Sequence, residues 1–158
     1  MPSLVGSEMC IRDSTCADLL LDNQVCFALH STSLMMTKVY KPLLKKLGLT
    51  YPQYLAMLVL WEGDGITVSE ISARLLTDPG SLTPLLKRLE AEGLIDRKRS
   101  SSDERVVHLY LTDKGRALHA EARQIPGCIL DASAQTAKRL ASLTAELTAL
   151  RKQLQDSL

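Results

Sequence analysis

Three helix-start signals fall within residues 50–78, and two alternating apolar runs follow before residue 112. Thr50 stands three residues before Gln53, and Thr67 three before Glu70. That is the spacing of a capping box, in which the threonine hydroxyl takes the third amide and the longer side chain reaches back to the threonine N–H. Thr77-Asp78-Pro79-Gly80-Ser81 is a turn and a third start. The predicted helices run over residues 50–62, 67–75 and 81–92, with Gly93 as a stop. Pro84 argues for a start near Ser81, because proline is tolerated only in the first turns of a helix. Residues 94–99 and 105–111 read as strands. In the second, Val107, Leu109 and Leu111 alternate with Val106, His108 and Tyr110. The residues between, Ser100-Ser101-Ser102-Asp103-Glu104, form a polar hairpin tip. Two short helices across a tight turn, then a hairpin, make a helix-turn-helix with a β-wing.

The flanks are helical. Residues 17–47 predict one long helix, with Pro42 near its end as a kink and Gly48 as its stop. Thr112 starts another helix, which Pro126-Gly127 breaks or bends. Beyond it, Leu140, Leu143, Leu147, Leu150 and Leu154 recur at three- and four-residue spacing, an apolar seam that wants a partner helix. The expected fold is mainly α (α+β), a winged helix-turn-helix with N- and C-terminal dimerisation helices. Residues 49–112 form the DNA-binding domain, and 17–48 with 113–158 the helical dimerisation region. Residues 1–16 form an appendage, non-native or disordered, and no role is assigned to Cys10.

Composition limits the function classes. Apolar residues make up 46% of the 158, enough for a core, but aromatics only 4%, so that core must be aliphatic. A net charge of +1 supplies no bulk positive field, so nucleic-acid contact must come from local clustering. No apolar run reaches the length of a membrane span, and no signal peptide is visible, so a cytoplasmic protein with no membrane partner is expected. In that compartment Cys10, Cys16, Cys26 and Cys128 are reduced, reactive or packed rather than bridged. None is spaced as Cys-x-x-Cys, and neither a metal nor another cofactor is expected.

Several stretches resemble the MarR family of regulators. Residues 43–54, LLKKLGLTYPQY, look like the junction between its dimer helices and its reader. Residues 83–90, TPLLKRLE, with Gly93-Leu94-Ile95, resemble its recognition helix. Ser102-Asp103-Glu104-Arg105 is similar to its wing tip, and Leu111-Thr112-Asp113-Lys114-Gly115 to its wing exit. The match covers roughly residues 20–125. Within the family, Cys26-Phe27-Ala28-Leu29 with Tyr51-Pro52-Gln53-Tyr54 resembles the organic hydroperoxide sensors, the OhrR type. The resemblance implies a homodimeric repressor, not an enzyme, that leaves its operator when its sensing cysteine is oxidised.

On that resemblance Cys26 is the peroxidatic thiol, and Tyr40 and Tyr51 are phenols that hydrogen-bond to it. Cys128 is implied as the resolving thiol of a two-cysteine subtype. An intersubunit Cys26–Cys128 disulfide would bring their Cα atoms within about 7 Å. His30 stands where some relatives carry tyrosine. Its imidazole either favours the thiolate by its charge or accepts the thiol proton. Helical geometry adds a constraint of its own. Cys26 and Tyr40 are fourteen residues apart, within about 40° around a helix but about 21 Å along its axis. Either the helix breaks between them, or Tyr40 serves the thiol of the other subunit.

For reading DNA, Ser81 and Thr83 lie in the first turns of the second helix, and Lys87 and Arg88 can reach bases or phosphates. At the wing Arg105 can enter the minor groove while Asp103 steadies it or the hairpin. Arg97, Lys98 and Arg99 would meet phosphates. The expected partners are a double-stranded operator, an inverted repeat suiting a homodimer, and an organic hydroperoxide as oxidant. Three other readings compete. In the first, a small phenolic ligand relieves repression and Cys26 only lines its pocket. The second, a thiol peroxidase, lacks a basic activator: His30 is the sole candidate between Arg12 and Lys38. The third, an interaction module built on the leucine seam, leaves the wing unexplained.

Overall fold

The structure is a computed structural model, and it describes residues 17–158. The appendage, with Cys10 and Cys16, lies outside the described residues. The described residues divide into two units, one ending at Val39 and one beginning at Tyr40.

Residues 17–23 form two 3-10 turns, Ala17–Leu19 and Leu21–Asn23, and helix α1 (Val25–Lys45), whose last residues belong to the second unit, starts only after them. This corrects the long helix expected from residue 17. The cause is local: Asn23 Nδ2 donates to the Ala17 carbonyl (2.8 Å), and Gln24 Nε2 to those of Asp18 (2.6 Å) and Leu20 (3.0 Å). These side-chain amides offer the backbone an alternative to helical pairing. Further on, α1 passes through Pro42 without ending. It closes where Leu49 N bonds back to the Leu44 carbonyl and Gly48 takes φ +72°, a left-handed cap that favours glycine.

The second unit continues with α2 (Tyr51–Glu62), β1 (Ile66–Thr67), α3 (Val68–Leu75), α4 (Pro79–Ala91), β2 (Ile95–Arg99), β3 (Val107–Leu111), α5 (Asp113–Ala122), α6 (Ile125–Ser133) and α7 (Ala137–Asp156). Both expected capping boxes are present, Thr50 with Gln53 and Thr67 with Glu70. Helix α4 starts at Pro79, two residues before the expected Ser81. Asp78 is the reason, because its carboxylate accepts from Ser81 N at 2.8 Å and fixes the first turn. Pro79 then occupies the first helical position, where its missing N–H costs nothing. Pro84 sits deeper in the helix than expected, and the carbonyl its ring crowds belongs to Gly80. Between α3 and α4 the chain turns through Leu76 at φ +54°, held by reciprocal bonds between Ser72 and Thr77.

The sheet has strand order β1-β3-β2, antiparallel throughout, with Ile66 opposite Leu109 and Arg97 opposite Leu109 on the other side. The two-residue strand β1 carries no pattern long enough to read. The helix that Thr112 starts ends at Ala122, and Pro126 falls in the first turn of the next helix, α6, so the expected break is present and lies just ahead of Pro126-Gly127.

The core lies in the second unit. Ala56, Met57, Leu60, Ile71, Leu86, Leu89, Ile95 and Leu109 are all excluded from solvent. Helix α2 is apolar on every side and buries six of its twelve residues, as a central helix should. By contrast α7 buries none of its twenty.

Candidate functional site

Cys26 is the second residue of α1, a free and exposed thiol, with the exposed His30 one turn further on the same side of the helix. Cys128 is also free and exposed, in the first turn of α6.

Tyr40 and Tyr51 come together. Their ring centroids lie 5.1 Å apart at 54°, a tilted aromatic contact. Tyr40 meets a second ring, Tyr54, at 5.7 Å. Burial, and then the neighbouring Tyr54 and Tyr51 phenols, push the Tyr40 phenol up to about 12. Burial likewise raises Tyr54. Tyr40 is therefore a neutral phenol, a hydrogen-bond donor, throughout the physiological range. Sequence reading took Tyr54 only as the end of a motif and gave it no role, although its position three residues after Tyr51 puts both rings on one face of α2.

From this cluster a line of rings continues through α2. Tyr54 meets Trp61 edge-on at 6.4 Å, and Trp61 meets His119 of α5 at 5.4 Å. Beside them Tyr54, Leu58, Trp61, His119 and Pro126 border an open hollow of about 510 Å³.

The residues expected to read DNA lie on α4 and the wing. Ser81 donates to Asp78 through its backbone N–H (2.8 Å) and its Oγ (2.9 Å), and these bonds, the backbone one first, hold the Asp78 carboxyl below the usual carboxylate range. Thr83 Oγ1 donates to the Pro79 carbonyl (2.8 Å), so both hydroxyls are partly committed to the helix start. Lys87 is exposed; Arg88 is 77% exposed and loosely paired with Glu92 at 4.0 Å. At the wing tip Asp103 Oδ1 accepts from Arg105 N (3.0 Å) and Nε (3.2 Å), while the Arg105 side chain stays 92% exposed. Arg99 Nη1 donates to the Glu104 carbonyl and spans the hairpin. Arg97 differs: its backbone N–H meets Glu90, and its Nε is buried without a protein partner. It lines a cleft of about 340 Å³ with Ser69, Thr83 and Arg105, between the wing and the starts of α3 and α4. Lys98, expected among the phosphate contacts, has its ammonium 5.1 Å from the centre of the Tyr110 ring.

Residues 38–122 match the family described as transcriptional regulator SarA/Rot. The chain is 51% identical over 134 residues to the organic hydroperoxide resistance transcriptional regulator of Bacillus subtilis, covering 85% of this chain and 91% of the relative. Among solved structures, reduced AbfR bound to DNA is 34% identical with a TM-score of 0.70, covering 85% of this chain and 93% of that one. AbfR comes from Staphylococcus epidermidis. Its disulfide-formed state matches at 33% identity and a TM-score of 0.60, over 86% of this chain and 90% of AbfR. With a winged helix, a paired-phenol cluster and this degree of identity, the chain belongs to the MarR family of winged-helix regulators and, within it, to the OhrR type.

Proposed function

We propose that this protein is a transcriptional repressor that grips an operator as a homodimer and releases it when an organic hydroperoxide oxidises Cys26. The observation that carries this reading is the extent of the similarity. It spans 134 residues, about twice the length of the winged helix-turn-helix, so the likeness to a hydroperoxide resistance regulator is not a likeness of readers alone. Residues 49–112 read the DNA, and the flanking helices 17–48 and 113–158 join the two protomers. The apolar seam of α7 and the exposed Val25, Leu29, Leu34, Met35 and Val39 of α1 support this division, because such faces favour a covering partner. A regulator of this kind works in the cytoplasm, where thiols stay reduced until an oxidant arrives.

The chemistry takes two steps. The Cys26 thiolate attacks the terminal oxygen of the hydroperoxide, the O–O bond breaks, and the leaving alkoxide takes a proton to become an alcohol. Cys26 is then a sulfenic acid. The Cys128 thiol attacks that sulfur, an S–S bond forms, and the hydroxyl leaves as water. Tyr40 and Tyr51 donate hydrogen bonds to the sensing sulfur. Because α1 runs unbroken from Val25 to Lys45, the phenols of one protomer are assigned to Cys26 of the partner subunit. His30 is the nearest group on α1 able to take the thiol proton. On the DNA, Arg105 enters the minor groove, with Asp103 fixing its angle. Ser81, Thr83, Lys87 and Arg88 face the major groove, and Arg97 and Arg99 the phosphates.

The test uses a duplex selected by the reduced wild-type protein from a randomised pool. Adding tert-butyl hydroperoxide should free the wild type and leave Cys26→Ser bound. Equal release of both would sink the reading. Non-reducing electrophoresis should then show a covalent dimer in the wild type and none in Cys128→Ser. A second reading, relief of repression by a small phenolic ligand, is favoured by the hollow bordered by Tyr54, Leu58 and Trp61. It predicts release by a phenol without oxidant, equally in Cys26→Ser.

A further inference from the structure

Helix α2 is gripped at both ends. Its first turn carries Tyr51 and Tyr54 against Tyr40, at 5.1 and 5.7 Å. In its last turn Trp61 Nε1 donates to the Gly115 carbonyl at 2.9 Å, a bond between residues 54 apart in sequence. Just past the helix, Asp64 Oδ2 accepts from Leu111 N at 2.9 Å and pairs with Arg116 Nη2 at 3.2 Å. Leu111 is the last residue of the wing, and Gly115 and Arg116 belong to the first turn of α5. At 23% exposure, Asp64 is better shielded than any other carboxylate in the ion pairs of the described residues. Shielding of that kind strengthens a pair that already has two donors.

The structure that Trp61 and Asp64 hold is stiff. A Cβ on Gly115 would lie 2.1 Å from the Leu94 carbonyl oxygen, so α5 starts in direct backbone contact with the entry to β2. Thr112 adds two bonds across the same seam, N to the Leu94 carbonyl (3.1 Å) and Oγ1 to that of Gly93 (2.6 Å). Entry to the wing, exit from it and the start of α5 therefore form one knot. The helix between the two grips is equally stiff. It has twelve residues, about 18 Å of rise, half of them buried, and a capping box at its start. A close-packed helix cannot absorb a shift at one end by bending, so a displacement of its first turn is delivered to its last.

We propose that Trp61 and Asp64 are positioning residues for the switch: they make the wing's seat move with α2, and so carry the state of the tyrosine cluster to the wing. This rests on the reading above, in which Tyr40 and Tyr51 answer to the oxidation of Cys26. The physical requirement is that both grips hold the same rigid element, which these contacts meet.

Trp61→Phe keeps an aromatic ring and removes the indole N–H. Asp64→Asn keeps the shape and removes the charge. For each, affinity for the selected duplex is measured before and after tert-butyl hydroperoxide, with the loss of free thiol at Cys26 followed in the same samples. The reduced variants should bind within about threefold of wild type, and their thiols should oxidise at the wild-type rate. After oxidation they should hold the duplex at least about fivefold more tightly than oxidised wild type, the lower end of ordinary coupling. The ratio of oxidised to reduced affinity is internal to each variant, so a general loss of stability does not imitate the effect. Oxidised variants that release as fully as wild type would overturn the proposal. So would reduced variants that already bind as poorly as the oxidised protein, because the contacts would then serve only the wing's own fold. Wild type that keeps the duplex after its Cys26 thiol is consumed overturns the switch reading itself, and the proposal with it.

Discussion

The reader and the outer helices solve the same problem in opposite ways. Within α2, six of twelve residues are buried, and the helices and strands around it bury Ile71, Leu86, Leu89, Ile95 and Leu109 completely. Its helix starts are capped by Thr50, Thr67 and Asp78. By contrast α1 buries only Leu44 in twenty-one residues, and α7 buries nothing in twenty. Leu34, Met35, Leu143 and Leu147 of these outer helices are 39–52% exposed. The reader is stabilised by its own chain. The outer helices have amphipathic faces but little to cover them, and on the proposed reading a second protomer does so. Oxidation can then act where the protein depends on its partner while the reader itself stays intact.

The contrast can be broken most directly at α7. Leu143→Glu combined with Leu147→Glu should yield a monomer at micromolar concentration by light scattering, with helical circular dichroism largely kept. Duplex binding should fall about a hundredfold or more, since two linked half-site contacts become one. A dimeric double variant would show that the seam is not the interface. Next in size is Leu86→Ala, which empties a fully buried site and should cost about 2–5 kcal/mol. That loss should appear in the intrinsic stability of the reader and be independent of protein concentration, unlike the loss at α7. The smallest effect is one of pH. Burial keeps the Tyr40 phenol neutral to about 12, against an ordinary value of 10.0. Below pH 10 its contribution is fully present. As pH rises from 10 towards 12 the unfolded chain ionises first, so the urea midpoint should fall. The fall should be shallower in Tyr40→Phe; identical curves would mean that the phenol is not held in this environment.

How much of this could be read beforehand depends on how local the cause is. The capping boxes at Thr50 and Thr67 were legible because donor and acceptor are three residues apart. The wing was legible from its alternation. The late start of α1 was not, because the amides of Asn23 and Gln24 compete with the helix through bonds that composition does not reveal. The start of α4 lies two residues earlier than Pro84 suggests, because the Asp78 cap fixes the first turn. Strand β1 exists only because β3 lies beside it. At the site, Cys26, Tyr40, Tyr51 and Cys128 were singled out through resemblance, and sequence spacing alone limited only the Cys26–Tyr40 pair. Tyr54 enters only as the end of a motif, and Trp61 not at all. They look like core residues in a helix apolar on every side, and their importance comes from ring contacts and a bond to Gly115 that span the fold.

Trp61 is the only tryptophan in the chain. Its indole lies edge-on between Tyr54 and His119, with its N–H fixed on Gly115. The molecule therefore carries its own optical probe at the seat of the wing. Emission excited at the red edge comes from one site alone, and its wavelength and lifetime follow the hydrogen bond and the flanking rings without any attached dye.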